Sequence, residues 1–201
     1  APFLTALFTA TSAGTDTGLS IVDTTTFWNP AGQAIILALI LVGGVAMMSA
    51  ATFLLVIFTQ RISLSNQLIM REFVGVSHLG SLVRLAVQVA SVALFLQFLG
   101  FLLLIWRFLP IFDLGEAAWQ ALFLSVSAFN SAGFAVLPHS DSLARFQREP
   151  WILGILGVLV MLGGISYSVM ADVVRRRRFK RFTLDARLVL VVSLILWVVG
   201  A

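Results

Sequence analysis

From Ala34 to Phe58 the chain carries no charged side chain, and the same holds from Leu85 to Trp106 and from Trp151 to Ala171. An α-helix rises 1.5 Å per residue, so about 20 apolar residues cross the ~30 Å hydrocarbon core of a bilayer. Three such runs in 201 residues leave little chain for a soluble fold. The composition agrees, at 60% hydrophobic and 11% charged, where soluble domains have about 45–50% and about 25%. The reading is an all-α polytopic membrane protein. A last apolar run, Leu188 to Ala201, has only 14 residues, and the chain opens on Ala1 with neither a basic start nor a secretory cleavage pattern. We expect a window on a longer polypeptide. Without cysteine there is no disulfide framework, thiolate metal site or cysteine nucleophile.

The charges that remain are segregated. Arg61, Arg71 and Arg84 against Glu72 give +2 between residues 61 and 84. Arg175, Arg176, Arg177, Arg178, Lys180, Arg181 and Arg187 against Asp172 and Asp185 give +5 between 172 and 187. The intervening segments carry Asp16 and Asp23, then Arg107, Arg145 and Arg148 against Asp113, Glu116, Asp141 and Glu149. Ten of the 13 cations thus lie in two turns, which the positive-inside rule assigns to the cytoplasm. The same rule accounts for the arginine run as a topology anchor, and a docking surface for an anionic partner or lipid headgroups is the alternative. Nucleic acid is not an expected partner, because the basic residues mark membrane topology.

The chain also repeats itself. With an offset of 115 residues, "ALFTATSAGTDTGL" (6–19) meets "ALFLSVSAFNSAGF" (121–134). After a five-residue insertion, "LVGGV" (41–45) meets "MLGGI" (161–165) and "RISL" (61–64) meets "RFTL" (181–184). Each unit reads as a short apolar segment, a polar glycine segment, a spanning helix with paired glycines, a basic turn and another spanning helix. The short segments, about Pro2–Gly14 and Ala117–Phe129, are too short to cross hydrocarbon and read as re-entrant half-helices. Irregular backbone survives at membrane depth only where it is buried in protein or lines a water-filled cavity. A polar segment behind each half-helix therefore reads as a pore lining whose carbonyls replace an ion's hydration shell. The partly negative C-terminal end of each half-helix favours a cation, and Gly18 and Gly133 make the required backbone accessible.

These residues carry a family resemblance. "FTATSAGTDTGLSIVDT" (8–24), "SAFNSAGF" (127–134), "VGGVAMMSAATFL" (42–54) and "LGGISYSVMADV" (162–173) resemble the pore subunits of the Trk/Ktr/HKT superfamily of potassium transporters. The resemblance implies four helix, pore helix, filter, helix repeats around one ion path, of which this chain holds about two. Residues 1–60 would be the first repeat without its first helix, 61–84 a cytoplasmic linker and 85–174 the complete second repeat. Residues 175–187 would be a basic cytoplasmic linker, and 188–201 the start of a third. The implied filter strands are Thr15, Asp16, Thr17 and Gly18, and Asn130, Ser131, Ala132 and Gly133, which would hold K+ through backbone carbonyls. In the family, glycine at the filter position favours potassium, whereas serine accompanies sodium transport in some plant members. One departure is Asp16, where the family usually has an apolar residue; a buried carboxylate needs a hydrogen-bond partner.

The resemblance further implies a bacterial inner-membrane protein that works as a homodimer and docks on a cytosolic nucleotide-binding regulatory subunit, with Arg175–Arg178, Lys180 and Arg181 facing that side. No cofactor is expected in this chain, and K+ is cargo. Gly43-Gly44 and Gly163-Gly164 are expected to pack helices closely. Gln88, Ser91 and Gln97 are expected to face a neighbouring helix. "WNPAG" (28–32) contains one copy of a tripeptide that water channels use in pairs, and reads better as a helix opener. A serine protease would need Ser166 within hydrogen-bond reach of His78 or His139, both expected in loops, so the chain is not read as an enzyme. The remaining alternatives are a non-conducting anchor of the same fold and a less selective monovalent cation transporter.

Overall fold

A computed structural model describes residues 2–60, 79–137, 142–165, 187–189, 191–193 and 195. The described residues are helical or irregular, with no strand among them. In order they form α1 (Phe3–Gly14), α2 (Thr24–Phe27), α3 (Pro30–Gln60), α4 (Leu79–Phe108), α5 (Leu114–Phe129), a 3-10 turn (Ser142–Phe146) and α6 (Pro150–Gly163). Two compact units result, one of Ala1–Ala46 with Ala93–Gly164, the other of Met47–Val92 with Ile165–Ala201. In the second unit, the described residues continue α3 and begin α4, where Ser91 Oγ donates to the Val87 carbonyl at 2.7 Å within its own helix.

Local chemistry sets the helix starts. Asn29 Oδ1 accepts the Gly32 N–H at 2.9 Å, and Pro30 takes the first helical position, where a missing N–H costs nothing. "WNPAG" is thus a helix opener. Asp23 caps α2 by accepting the Thr25 N–H at 2.8 Å, and α6 opens on Pro150. The second short helix begins three residues before the expected Ala117, at Leu114, behind an extended Asp113, and Glu116 in its first turn suits the positive N-terminal end. With 12 and 16 residues, α1 and α5 reach only about 18 and about 24 Å.

Ala90–Phe108 within α4 is long and apolar enough to cross a bilayer. The other expected runs fall in α3 and α6, and residues from Ser166 onward in the last run lie outside the described residues. Helix α5 lies at the centre of the first unit. On one side Phe123 and Val126 pack with Ala13 of α1 and Ile36, Leu37 and Ile40 of α3. On the other, Ala117, Ala121 and Leu124 pack with Leu104 and Phe108 of α4 and Ile152 and Leu156 of α6. Ser125 Oγ donates to the Gln97 carbonyl where Gly100 lets α4 come close. Gln97 is buried as expected, whereas Gln88 is exposed.

Candidate functional site

Helices α1 and α5 end in the same way. After Gly14, the Thr15 N–H bonds to the Thr11 carbonyl at 2.9 Å, and the Thr17 N–H reaches back to the Ser12 carbonyl at 3.0 Å. After Phe129, the Asn130 N–H bonds to the Val126 carbonyl at 3.1 Å, and the Ala132 N–H to the Ser127 carbonyl at 2.8 Å. The longer bond in each pair spans five residues and requires a left-handed residue inside it, as in a Schellman closure. Asp16 at φ 49° and Ser131 at φ 56° fill that place. Short polar side chains tolerate this region better than bulky or branched ones, which gives Asp16 a structural reason. Two residues further on, Gly18 and Gly133 are again left-handed, at φ 74° and 70°.

Side chains reinforce both turns at matching places. Thr15 Oγ1 donates to the Thr11 carbonyl at 2.8 Å, and Asn130 Nδ2 donates to the Val126 carbonyl at 3.0 Å. The Thr15 and Thr17 hydroxyls also share a 2.6 Å hydrogen bond. Asp16 Oδ1 is buried with no hydrogen-bond partner. Among the described residues there is no group of three or more His, Cys, Asp or Glu side chains that could hold a metal ion.

The two segments meet at their glycines. A Cβ on Gly18 would lie 2.8 Å from the Ala132 carbonyl oxygen, and one on Gly133 would lie 3.3 Å from Gly18 Cα. Both main chains therefore need glycine for conformation and for space. Helix α3 abuts both helix ends. A Cβ on Gly43 would fall 2.4 Å from the Gly14 carbonyl oxygen, and one on Gly44 would fall 2.1 Å from Asn130 Oδ1. In α6, a Cβ on Gly163 would fall 1.6 Å from the Phe129 carbonyl oxygen. The paired glycines are packing positions, as expected, although the nearest atoms to a Cβ on Gly164 belong to its own helix.

The residues read as filter strands thus lie on two segments that touch at Gly18, Ala132 and Gly133. Arg175–Arg178, Lys180 and Arg181, like His78, His139 and Ser166, lie outside the described residues. Sequence reasoning missed Gln33. This buried residue of α3 donates to the Trp28 carbonyl at 3.1 Å and the Thr25 carbonyl at 3.3 Å, and accepts the Trp119 indole N–H of α5 at 3.0 Å. An amide next to an apolar run was the available signal, since polar groups in such settings need partners.

The family model described as "TrkH: Cation transport protein" matches residues 1–195. The chain belongs to the TrkH family. Potassium uptake protein B of the Ktr system from Vibrio alginolyticus is 36% identical over 97% of this chain, and the Bacillus subtilis protein of that name is 33% identical over 96%. The potassium/sodium uptake protein NtpJ of Enterococcus hirae is 32% identical over 98%. This TrkH chain spans 43–44% of the length of these relatives. By its printed description, that family is one of cation transport proteins.

Proposed function

We propose that the chain is part of the ion-conducting subunit of a potassium uptake system. Helices α1 and α5 act as pore helices, and Thr15–Gly18 and Asn130–Gly133 supply backbone carbonyls to a selectivity filter. The observation that carries this reading is the meeting of two segments with the same left-handed residues, at 16 and 18 and at 131 and 133, directly behind two short helices. Irregular main chain inside a protein of this apolarity belongs where it is enclosed or lines a water-filled path. The remaining quarters of the ring come from further repeats.

Two relatives are named for potassium uptake and one for potassium and sodium. Glycine at both filter positions favours the potassium reading. The name "Ktr system" supports a multi-component assembly. In it, this subunit pairs as a homodimer in the bacterial inner membrane, and its cytoplasmic face, including Arg175–Arg178, Lys180 and Arg181, meets lipid headgroups or a nucleotide-binding regulator. Rubidium uptake by the intact protein, in a strain lacking its own potassium uptake, tests the reading. Uptake that potassium outcompetes better than sodium supports it; no uptake by correctly inserted protein refutes it.

A further inference from the structure

The two segments touch, yet among the described residues no hydrogen bond joins Thr15–Gly18 to Asn130–Gly133. Van der Waals contact at Gly18 and Gly133 resists approach but does little against sliding. Their register must therefore be held from a distance.

We propose that Gln33 is the positioning residue that fixes this register, and that it thereby sets the ion preference of the filter. The inference rests on the filter reading above. The contacts form a closed circuit. It starts at the C-terminal end of α5, passes through Ser131 and Ala132 to the Gly133 contact with Gly18, and follows the chain from Leu19 to Trp28. Gln33 Nε2 holds that stretch by its Thr25 and Trp28 carbonyls, while its Oε1 takes the Trp119 N–H and returns the circuit to α5. The starts of both strands are anchored as well, Gly14 against Gly43 and Asn130 against Gly44. The start of each strand is thus fixed on α3, and the chain beyond Gly18 is tied to α5 through Gln33.

The amide uses both its atoms. Oε1 accepts from α5 while Nε2 donates to the descending chain, so neither a carboxylate nor an aliphatic side chain can replace it. Gln33 is buried and bonded to Trp28 and Trp119, which pack against an apolar cluster, so a lost partner is not made good by solvent. Selectivity in a carbonyl-lined filter depends on where the oxygens stand and how firmly they are held, so a loosened register changes which ion is preferred as well as how fast it passes.

The test compares wild type with Gln33→Leu, Trp119→Phe and the double variant. Each is scored for amount in the membrane and for competition of rubidium uptake by potassium and by sodium. Inserted at wild-type levels, Trp119→Phe is expected to lose about tenfold of its potassium-over-sodium preference, the effect of about one buried hydrogen bond, and Gln33→Leu, which removes that bond and two more, at least as much. The double variant is expected to be no worse than Gln33→Leu, because the one bond that Trp119→Phe removes is already lost there. An unchanged preference, or losses that add, overturns the proposal. If Gln33→Leu does not insert, Trp119→Phe decides alone, since it deletes one N–H and keeps an aromatic ring. Gly18→Ser is the control that separates the two readings. If it shifts preference while Trp119→Phe does not, Gln33 has no positioning role; if it also leaves preference unchanged, the filter assignment itself is wrong.

Discussion

Gly163 lies so close beneath Phe129 that a Cβ on the glycine would fall 1.6 Å from the Phe129 carbonyl oxygen, the contact that seats the C-terminal end of α5 on α6. Gly43 stands in the same relation to Gly14 at the end of α1, at 2.4 Å. In both cases the obstacle is backbone and cannot rotate away. Gly163→Ala and Gly43→Ala should each cost about 3 kcal/mol, the upper range for overpacking. Gly154→Ala, with nothing within 4 Å of its Cβ, should be neutral or gain up to about 1 kcal/mol. Thermal unfolding of the three variants in detergent checks the contrast.

Asp16 has a buried oxygen without a hydrogen-bond partner and a left-handed backbone. Asparagine is comfortable in that conformation and brings no charge to bury. Asp16→Asn should therefore fold and gain about 1 kcal/mol. A loss of stability in the same assay would show that the carboxylate is engaged.

Gly100 meets both methyl groups of Leu159 and the hydroxyl of Ser125, at 2.7, 2.8 and 2.9 Å from a built Cβ. Here the principal obstacle is the end of a flexible side chain. Gly100→Ala and Leu159→Ala should each destabilise, while the double variant should lose less than the sum by about 1 kcal/mol, since the two share one space. A double-mutant cycle on thermal stability measures the coupling.

Arg107 and Glu149 form an ion pair between the end of α4 and the start of α6, with about a third of each side chain exposed. Exposed pairs contribute ~0–1 kcal/mol. Glu149→Gln should change stability by less than about 1 kcal/mol, and raised salt should shrink the difference further.

Much of this was legible in the sequence because the signals were local. Charge-free runs gave α3, α4 and α6, "WNPAG" gave the start of α3, and the offset of 115 residues paired the two segments that share a backbone conformation. Gly43 and Gly163 could be read as close-packing positions from their pairing alone. The first turn of α5 was missed because Leu114 and Gly115 are weak as a pattern. The bond from Gln33 to Trp119 joins residues 86 apart and has no counterpart in composition or period. Asp16 could be seen as a departure, but its reason lies in a φ angle of 49°.

The central claim is that the main chain around Gly18 and Gly133 forms one wall of a cation path. An anomalous-diffraction map of the intact protein in rubidium is the direct measurement. The claim predicts rubidium peaks within coordination distance of carbonyl oxygens in Thr15–Gly18 and Asn130–Gly133. Peaks only elsewhere, out of coordination distance of both segments, would contradict it.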